Sequence, residues 1–374
     1  MAHVLIAPDK FKGTLTAAEV AAHVAAGMRS VRADLAAEMV PVADGGDGTL
    51  AAAVAAGFTR VPVLASGPTG VPVDSAYARR GAEAVVELAE VSGLGQLPDG
   101  HLAPESASSR GTGELIAAAL RDGCRRIVVG IGGSACTDGG AGLLTALGAR
   151  LTRADGELVD PGGVALAEAT RLDLSGLNPH LIDAVIVVAC DVDNPLLGEK
   201  GAAAVYGPQK GASPEQVALL ERGLERFARL VTTATRADHA RDPGAGAAGG
   251  VGFAVIAVLG ARLRPGIDLI LELTGFHEAL KRADLVVTGE GSIDEQTLHG
   301  KAPAGVAAAA RAAGIPVVAV CGRNLLSKEQ LKAAGFAAAY PLTDESSDLQ
   351  ECLTTPGPLL QRIGRRIAED HLNG

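Results

Sequence analysis

Short apolar runs alternate along the chain with segments in which apolar residues recur at helical spacing. Val4 to Ala7 form the first predicted strand, and the predicted helix behind it carries Val20, Val24, Met28 and Val31 on one face. Strands followed by helices in this way are typical of parallel sheets covered by helices, so the pattern predicts an α/β fold. Further strands are predicted at 38–42, 85–88, 127–129, 185–189, 285–288, 317–320 and 337–340.

Several predicted helices carry a cap signal at their start. A hydroxyl side chain followed three positions later by Glu or Gln can satisfy the first backbone N–H groups of a helix. The pairs are Thr16 with Glu19, Ser213 with Gln216 and Ser327 with Gln330.

Loops rich in Gly and Asp follow several of the predicted strands. In open parallel sheets ligands bind at the carboxyl ends of the strands, where these loops must lie. Glycine lets backbone N–H groups approach an anion closely, although Gly and Asp also make ordinary turns. Several such loops in one chain favour a shared anion site. They are ADGGDGT (43–49), GIGGSACTDGGAG (130–142), CDVDNP (190–195) and TGEGSID (288–294).

Length and composition indicate the number of domains and the kinds of partner that the chain can bind. The 374 residues suggest about two domains. With 33 basic against 43 acidic residues the net charge is −10, and six Phe, three Tyr and no Trp leave little for base stacking, so nucleic acid is not expected. Lys10, Lys12, Lys210 and Lys301 nevertheless lie in or beside turns that contain Gly or Pro. As a set they predict a phosphate-handling site, although each alone is explained as a solvated surface group.

No membrane span or secretory signal is predicted. The longest uncharged stretch, 244–261, contains many glycines and begins as a loop. The five cysteines are widely spaced and include no CxxC, which is typical of reduced thiols in a cytoplasm.

The common catalytic motifs are absent. The chain has no GxxxxGK[ST], no HRD and DFG set, no GxSxG and no HExxH. GIGGSA at 130–135 matches the loose dinucleotide fingerprint, but the acidic residue expected after a second strand is missing. A nucleotide-dependent oxidoreductase of a small hydroxy acid is therefore an alternative, and a non-catalytic binding module for an anionic metabolite is another.

Taken together, the motifs resemble the glycerate kinase family, in particular the type that includes bacterial glycerate 2-kinases. The resemblance implies transfer of the γ-phosphoryl group of ATP to D-glycerate, with Mg²⁺, in the cytoplasm. The 2-hydroxyl is favoured over the 3-hydroxyl as acceptor. Lys10 and Ser292 depart from the family pattern, where serine and arginine respectively are frequent. The matching segments are APDKFKGTLTA, PVADGGDGT, SSRGTGELI, GIGGSACTDGGAG, ACDVDNPLLG, GAAAVYGPQKGA, PGIDLILEL and TGEGSIDEQTLHGKAPAGVA.

The same resemblance implies two unlike α/β domains. Residues 1–64 and 285–374 would form a doubly wound, Rossmann-like domain with a parallel sheet, and residues 65–284 would form a second α/β domain inserted into it. The active site is expected in the cleft between them. A homodimer is one assembly that the sequence leaves open.

Phosphoryl transfer needs alignment of the reactants, groups that neutralise the charge on the phosphates and a base near the attacking hydroxyl. Asp44 is the predicted base, with Asp47 and Asp294 as alternatives, and Asp191 and Asp193 are the predicted Mg²⁺ ligands, with Glu290 as a rival. Lys12 and Lys301 are predicted to act on the transferred phosphoryl group. The residues predicted to bind substrate or phosphate are Lys10, Gly132, Gly133, Ser134, Thr137, Asp138, Lys210, Glu290, His299 and Arg323.

Overall fold

The computed structural model describes residues 2–298 and 300–372. The chain forms two compact units. The first unit comprises Met1–Asp44, Ala51–Gly57 and Ile267–Gly374, and the second comprises Gly45–Leu50 and Phe58–Gly266. The α/β class predicted from the pattern is confirmed, whereas the domain limits predicted at about 64 and 285 and the cleft between the domains stay predictions.

The strands are β1 (His3–Pro8), β2 (Ala36–Met39), β3 (Thr59–Ser66), β4 (Pro72–Arg80), β5 (Glu83–Glu87), β6 (Arg126–Gly130), β7 (Arg150–Thr152), β8 (Arg171–Asp173), β9 (Val185–Ala189), β10 (Arg262–Arg264), β11 (Leu285–Ile293), β12 (Val317–Asn324) and β13 (Ala338–Pro341). The helices are α1 (Ala17–Arg29), α2 (Thr49–Ala55), α3 (Ala89–Ser92), α4 (Arg110–Arg121), α5 (Ala141–Ala146), α6 (Ala202–Tyr206), α7 (Pro214–Thr235), α8 (Ala247–Ala257), α9 (Gly266–Leu273), α10 (Phe276–Leu280), α11 (Ala302–Ala312), α12 (Lys328–Ala333), α13 (Leu349–Thr354) and α14 (Pro356–His371). Among the described residues, no helix is long and apolar enough to span a membrane.

The sheet of the first unit is parallel throughout and has the order β13-β12-β11-β1-β2. Numbered within the unit, this is the 2-1-3-4-5 order of flavodoxin-like folds. The direction of strand succession reverses between β1 and β11, where Ala7 pairs with Thr288. In such sheets the crevice outside the carboxyl ends at the reversal is the usual ligand site. The residues after β1 and in the last part of β11 are therefore the first place to look for chemistry.

The sheet of the second unit has the order β10-β9-β6-β5-β4-β3. Its strands from β5 to β10 pair in parallel, but β3, β4 and β5 pair antiparallel. The sequence pattern predicted parallel strands and did not identify β3 and β4. β3 alternates between exposed and part-buried positions and lies at a sheet edge, which also accommodates Pro62 in a strand.

The three helix starts that were predicted from capping boxes are confirmed, but the first helix ends earlier than predicted. The capping boxes at Thr16, Ser213 and Ser327 are all formed. Val20, Val24 and Met28 are buried as predicted, but α1 ends at Arg29 and Val31 is 41% exposed. That prediction was wrong because the turn after Arg29 takes Val31 off the buried face.

Several strands differ from the sequence prediction by one or two residues at their ends, and β2, β11 and β12 differ by more. β2 covers Ala36–Met39 rather than 38–42. Hydrogen bonds to β1 nevertheless continue past Met39, from Val40 N–H to Ile6 O at 2.9 Å and from Val42 N–H to Pro8 O at 3.0 Å. β11 continues to Ile293, so most of the TGEGSID segment lies in the strand and not in a loop. Its partner β12 also runs on to Asn324, and pairing between Ser292 and Arg323 extends both strands.

Candidate active site

Asp9 follows β1 at the point where strand order reverses. Its N–H donates to Gly289 O at 2.8 Å, and its Oδ1 accepts the Lys10 N–H at 2.6 Å. The pKa of Asp9 is raised from its ordinary 3.8 to about 7, chiefly because burial disfavours the charged form; Lys10 opposes this shift, and the nearby Asp44 and Glu290 add to it. A carboxyl group at a strand end whose pKa lies near neutral pH is suited to proton transfer.

A second group of side chains in the same unit surrounds Lys301, which precedes α11. Glu290 is 9% exposed and accepts from Thr297 Oγ1 at 2.6 Å, while its other oxygen lies 3.4 Å from Lys301 Nζ. Asp294 Oδ1 lies 4.0 Å from the same nitrogen. Burial raises the pKa of Glu290, whereas Thr297 and Lys301 oppose this shift. We call Glu290, Asp294, Thr297 and Lys301 the Lys301 cluster.

Asp294 has a local structural role within this cluster. Its Oδ1 accepts from Gln296 N–H at 2.9 Å and from Thr297 N–H at 3.3 Å, while its own N–H donates to Thr297 Oγ1 at 3.0 Å. These bonds cap the single 3₁₀ turn Glu295–Leu298. The geometry therefore accounts for Asp294 as a turn former, and its predicted role as alternative base stays a prediction.

The remaining predicted residues of the first unit lie at separate places along the chain. Lys12 is exposed in the turn after β1, and Lys10 and Asp44 are half-buried. Arg323 is exposed on β12, where its Nε donates to Ser292 Oγ at 3.2 Å. Ser292 thus holds the guanidinium of its neighbour. His299, predicted to contact substrate, lies outside the described residues.

In the second unit, segment 45–50 is held by a buried carboxylate. Glu87, the last residue of β5, is 2% exposed and accepts from Gly48 N–H at 3.1 Å and from Leu50 N–H at 2.8 Å. Asp47, predicted as an alternative base, is exposed between Gly46 and Gly48. The ADGGDGT loop is thus fixed at the carboxyl end of this sheet.

The loop after β6 carries the predicted phosphate donors. Gly132 N–H reaches Gly45 O at 3.5 Å, and Gly133 is exposed with φ +74°. Within the described part of the chain, the N–H groups of Gly133 and Ser134 have no protein acceptor. Two such donors beside each other can bind an anion. The GxGxxA match does not have the dinucleotide-binding context, because α5 begins only at Ala141 and not at the end of the motif.

Thr137 and Asp138 lie deep in the same loop. The Asp138 carboxylate is 1% exposed and accepts hydrogen bonds from Ser109 N–H and Oγ at 2.8 and 2.9 Å and from Gly140 N–H at 3.0 Å. It is therefore committed to holding the loop against the start of α4. Thr137 is fully buried, and its Oγ1 has no hydrogen-bond partner among the described atoms. Their predicted contact with phosphate stays a prediction.

Lys210 is 2% exposed and points into this loop. Its Nζ donates to Ser134 Oγ at 2.9 Å and to Cys136 O at 2.5 Å. Both acceptors are uncharged, and burial lowers the pKa of the lysine, although Cys136 and Asp138 oppose the shift. An ammonium group buried against dipoles gains from an anion nearby. The sequence predicted this lysine beside a phosphate but gave no sign that it is buried.

Asp191 and Asp193 follow β9. Both are exposed, and Asp191 Oδ1 accepts the Gly266 N–H at 2.8 Å. Across residues 2–298 and 300–372, no three His, Cys, Asp or Glu side chains are arranged to hold a metal ion. Two carboxylates nevertheless suit Mg²⁺, which commonly takes one or two protein carboxylates and completes its shell with phosphate oxygens and water. The donor set fits the predicted metal in that mode.

Sequence reasoning missed Asp9, Glu87 and Thr297. Asp9 and Glu87 each stand at the end of a strand, and that position is a signal the sequence offered. Their burial, which gives them their chemistry, depends on residues distant in the chain. Thr297 gave no signal, because its partner Glu290 is placed by the extension of β11.

Parallel strands with glycine-rich loops, lysines and carboxylates at their carboxyl ends define an α/β enzyme suited to handling phosphate groups. A sequence profile of the glycerate kinase family matches residues 4–372. The chain belongs to the glycerate kinase family. Its members are kinases, and membership of the family implies ATP as a substrate.

Individual relatives are similar to this chain over nearly its whole length. A glycerate kinase of Halalkalibacterium halodurans is 43% identical over 98% of this chain and 97% of its own. A glycerate 2-kinase of Escherichia coli is 41% identical over 98% and 97%. A crystal structure described as glycerate kinase 2 from Salmonella typhimurium LT2 has a TM-score of 0.86 at 41% identity, covering 99% of this chain and 98% of that one. The family resemblance read from the motifs is thereby confirmed.

Proposed function

We propose that this kinase transfers the γ-phosphoryl group of ATP to the 2-hydroxyl of D-glycerate, giving 2-phosphoglycerate and ADP. The observation that carries the proposal is the similarity over the whole chain to a glycerate 2-kinase. Transfer to the 3-hydroxyl is the closest alternative. The oxidoreductase alternative loses its only support, since the segment at 130–135 does not open a helix.

The proton acceptor is the pair of carboxylates formed by Asp9 and Asp44. As the glycerate oxygen bonds to phosphorus, its proton passes to a carboxylate oxygen of this pair while the bond to the leaving ADP oxygen breaks. A base with a pKa near the working pH is the most effective, and Asp9 titrates at about 7. Asp44, the base predicted from the sequence, contributes the negative charge that helps to keep this pKa high.

The lysines and the loop after β6 bind phosphate oxygens. Lys301 is held by Glu290 at 3.4 Å, which keeps its ammonium group directed while leaving donors for a phosphate. Lys12 and Lys10 follow β1 and supply mobile positive charge. In the second unit, Gly133 and Ser134 offer backbone N–H groups, and an anion there would offset the buried charge of Lys210.

Asp191 and Asp193 would hold Mg²⁺. When bound, the ion neutralises phosphate charge and polarises the transferred group. Arg323 presents a planar guanidinium suited to the carboxylate of glycerate, and Ser292 orients it. Glu290 is already paired with Lys301 and Thr297, so we assign it to positioning the lysine.

We place the reaction in the cytoplasm. All five cysteines are free thiols, which supports a reducing compartment. Whether the enzyme works as a homodimer stays a prediction for sedimentation analysis.

The test is a phosphorus NMR time course with MgATP and D-glycerate, beside a control that lacks glycerate. A glycerate-dependent signal of 2-phosphoglycerate supports the proposal, and a 3-phosphoglycerate signal would move the acceptor to the other hydroxyl. ATP consumption that does not depend on glycerate would reject it. Repeating the course with Asp191→Asn and Asp193→Asn over a Mg²⁺ titration tests the metal ligands, because an unchanged titration would remove them.

A further inference from the structure

Glu87 has no part in the chemistry described above, yet it is one of the most buried charged side chains of the second unit. It is 2% exposed, and each of its two carboxylate oxygens accepts one backbone N–H, from Gly48 and from Leu50. Both donors belong to segment 45–50, at the start of α2. The first N–H groups of a helix lack partners within it, so this carboxylate supplies what the helix start needs.

The same segment is tightly packed on its other side. A Cβ added to Gly45 would lie 2.6 Å from Ala189 Cβ. A Cβ on Gly130 would lie 2.6 Å from Gly45 O, and one on Gly132 would lie 2.6 Å from Gly46 Cα. The backbone of segment 45–50 therefore lies in contact with the ends of β6 and β9 and cannot shift toward them. Glu87 holds the same segment through the N–H groups of Gly48 and Leu50.

We propose that Glu87 is a positioning residue for phosphoryl transfer, which fixes segment 45–50 and with it Asp47 and the chain that leaves Asp44. The inference rests on the proposed function only for its effect on the reaction, since the clamp itself is a property of the fold. Glu87 touches neither substrate in this account. It acts through the backbone of the loop that carries the predicted base.

The charge state of Glu87 makes the clamp sensitive to pH. Burial raises its pKa from 4.5 to about 7, the two N–H donors lower it, and the neighbouring Glu90 and Asp47 raise it. The ionised carboxylate accepts both N–H groups, whereas protonation turns one oxygen into a donor that faces an N–H. The clamp is therefore complete above about pH 7 and weakens as pH falls through that value.

Hydrogen exchange measures the clamp without any assay of activity. Protection factors for the amides of Gly48 and Leu50, corrected for intrinsic exchange, should fall about fivefold between pH 8 and pH 6 in the wild type, since charged hydrogen bonds are about twice as strong as neutral ones. In Glu87→Gln they should be low at both pH values. Glu83→Gln is the matched control, because it makes the same change on the same strand at a carboxylate that pairs with Arg80 and Arg126 instead.

Kinetics measure the consequence for catalysis. In Glu87→Gln we expect kcat to fall about tenfold with little change in KM for ATP, because displacement of Asp44 disturbs the carboxylate pair that accepts the proton and slows the chemical step rather than nucleotide binding. In a plot of log kcat against pH, the decrease of kcat on the acid side should also become smaller, because only the titration of Asp9 then contributes to it. Glu83→Gln should keep wild-type kcat.

The outcomes separate the clamp from the function. Protection of Gly48 and Leu50 that is independent of pH and unchanged in Glu87→Gln would overturn the clamp. Altered protection with unchanged kcat would overturn the positioning role. If the wild type does not phosphorylate glycerate, the proposed function fails, and the exchange data still decide whether Glu87 holds the loop.

Discussion

Replacing Asp9 by asparagine should make the protein more stable and less active. The rise of its pKa from 3.8 to about 7 means that the folded protein disfavours the ionised form. At about 1.4 kcal/mol per pH unit this corresponds to about 4 kcal/mol when Asp9 is fully ionised. Loop relaxation and water entry reduce such penalties, so we expect a gain of about 2 to 4 kcal/mol in the free energy of unfolding of Asp9→Asn at pH 8.

The gain must depend on pH in a defined direction. A raised pKa means that the folded state binds the proton more tightly than the unfolded state, so the wild type loses stability as pH rises from 3.8 to about 7. Asp9→Asn cannot titrate there. The difference between the two proteins should therefore be largest at pH 8 and disappear below pH 3.8.

Urea unfolding followed by circular dichroism at pH 4, 6 and 8 measures this difference. Asp34→Asn is the control, since Asp34 is an exposed aspartate of the same unit whose pKa is lowered by a hydrogen bond from Arg32, and its loss should bring no gain at any pH. Under the proposed role, glycerate-dependent turnover of Asp9→Asn should fall about 100-fold or more. A stability difference that is equal at pH 4 and pH 8, or absent at pH 8, would show that the folded protein does not disfavour ionised Asp9.

Three further substitutions test other parts of the site. Gly45→Ala should destabilise the second unit by about 2 to 4 kcal/mol, because φ is +88° and the new Cβ would lie 2.6 Å from Ala189 Cβ. Thermal unfolding measures this loss. Gly57→Ala is the control, since Gly57 is exposed and also has a positive φ but has open space around it. Lys210→Met should lower stability by about 1 to 3 kcal/mol by leaving the acceptors of its two hydrogen bonds unpaired, and retention of wild-type stability and ATP affinity would count against both its roles. Lys301→Ala should raise KM for ATP about tenfold or more and raise the pKa of Glu290 further; unchanged nucleotide titration calorimetry would remove Lys301 from phosphate binding.

Local features of the sequence determined much of the fold. Hydroxyl and Glu or Gln residues three positions apart placed the starts of three helices, because a capping box is made entirely of neighbouring residues. Apolar runs such as Val185 to Ala189 located strands that are buried on both faces over most of their length. The ends of elements were less determined: Ile293 lies in β11 because Ser292 pairs with Arg323 on another strand, which no local pattern reports.

The candidate site divides in the same way. The glycine-rich loops and the lysines beside them could be located from the sequence, since strand ends and turn residues mark them. What each side chain does there depends on burial by distant residues. Asp138 and Lys210 both looked like phosphate ligands, yet one is fully engaged by Ser109 and Gly140 and the other is buried against Ser134 and Cys136.

The α/β class, the family and the loops that carry the chemistry could be predicted from the sequence, because periodicity, caps and motifs are properties of neighbouring residues. The carboxylates with a pKa near neutral pH could be identified only in the folded protein. Asp9 and Glu87 are ordinary acidic residues in the chain, and their pKa values rise to about 7 because the fold removes both from water beside other acids.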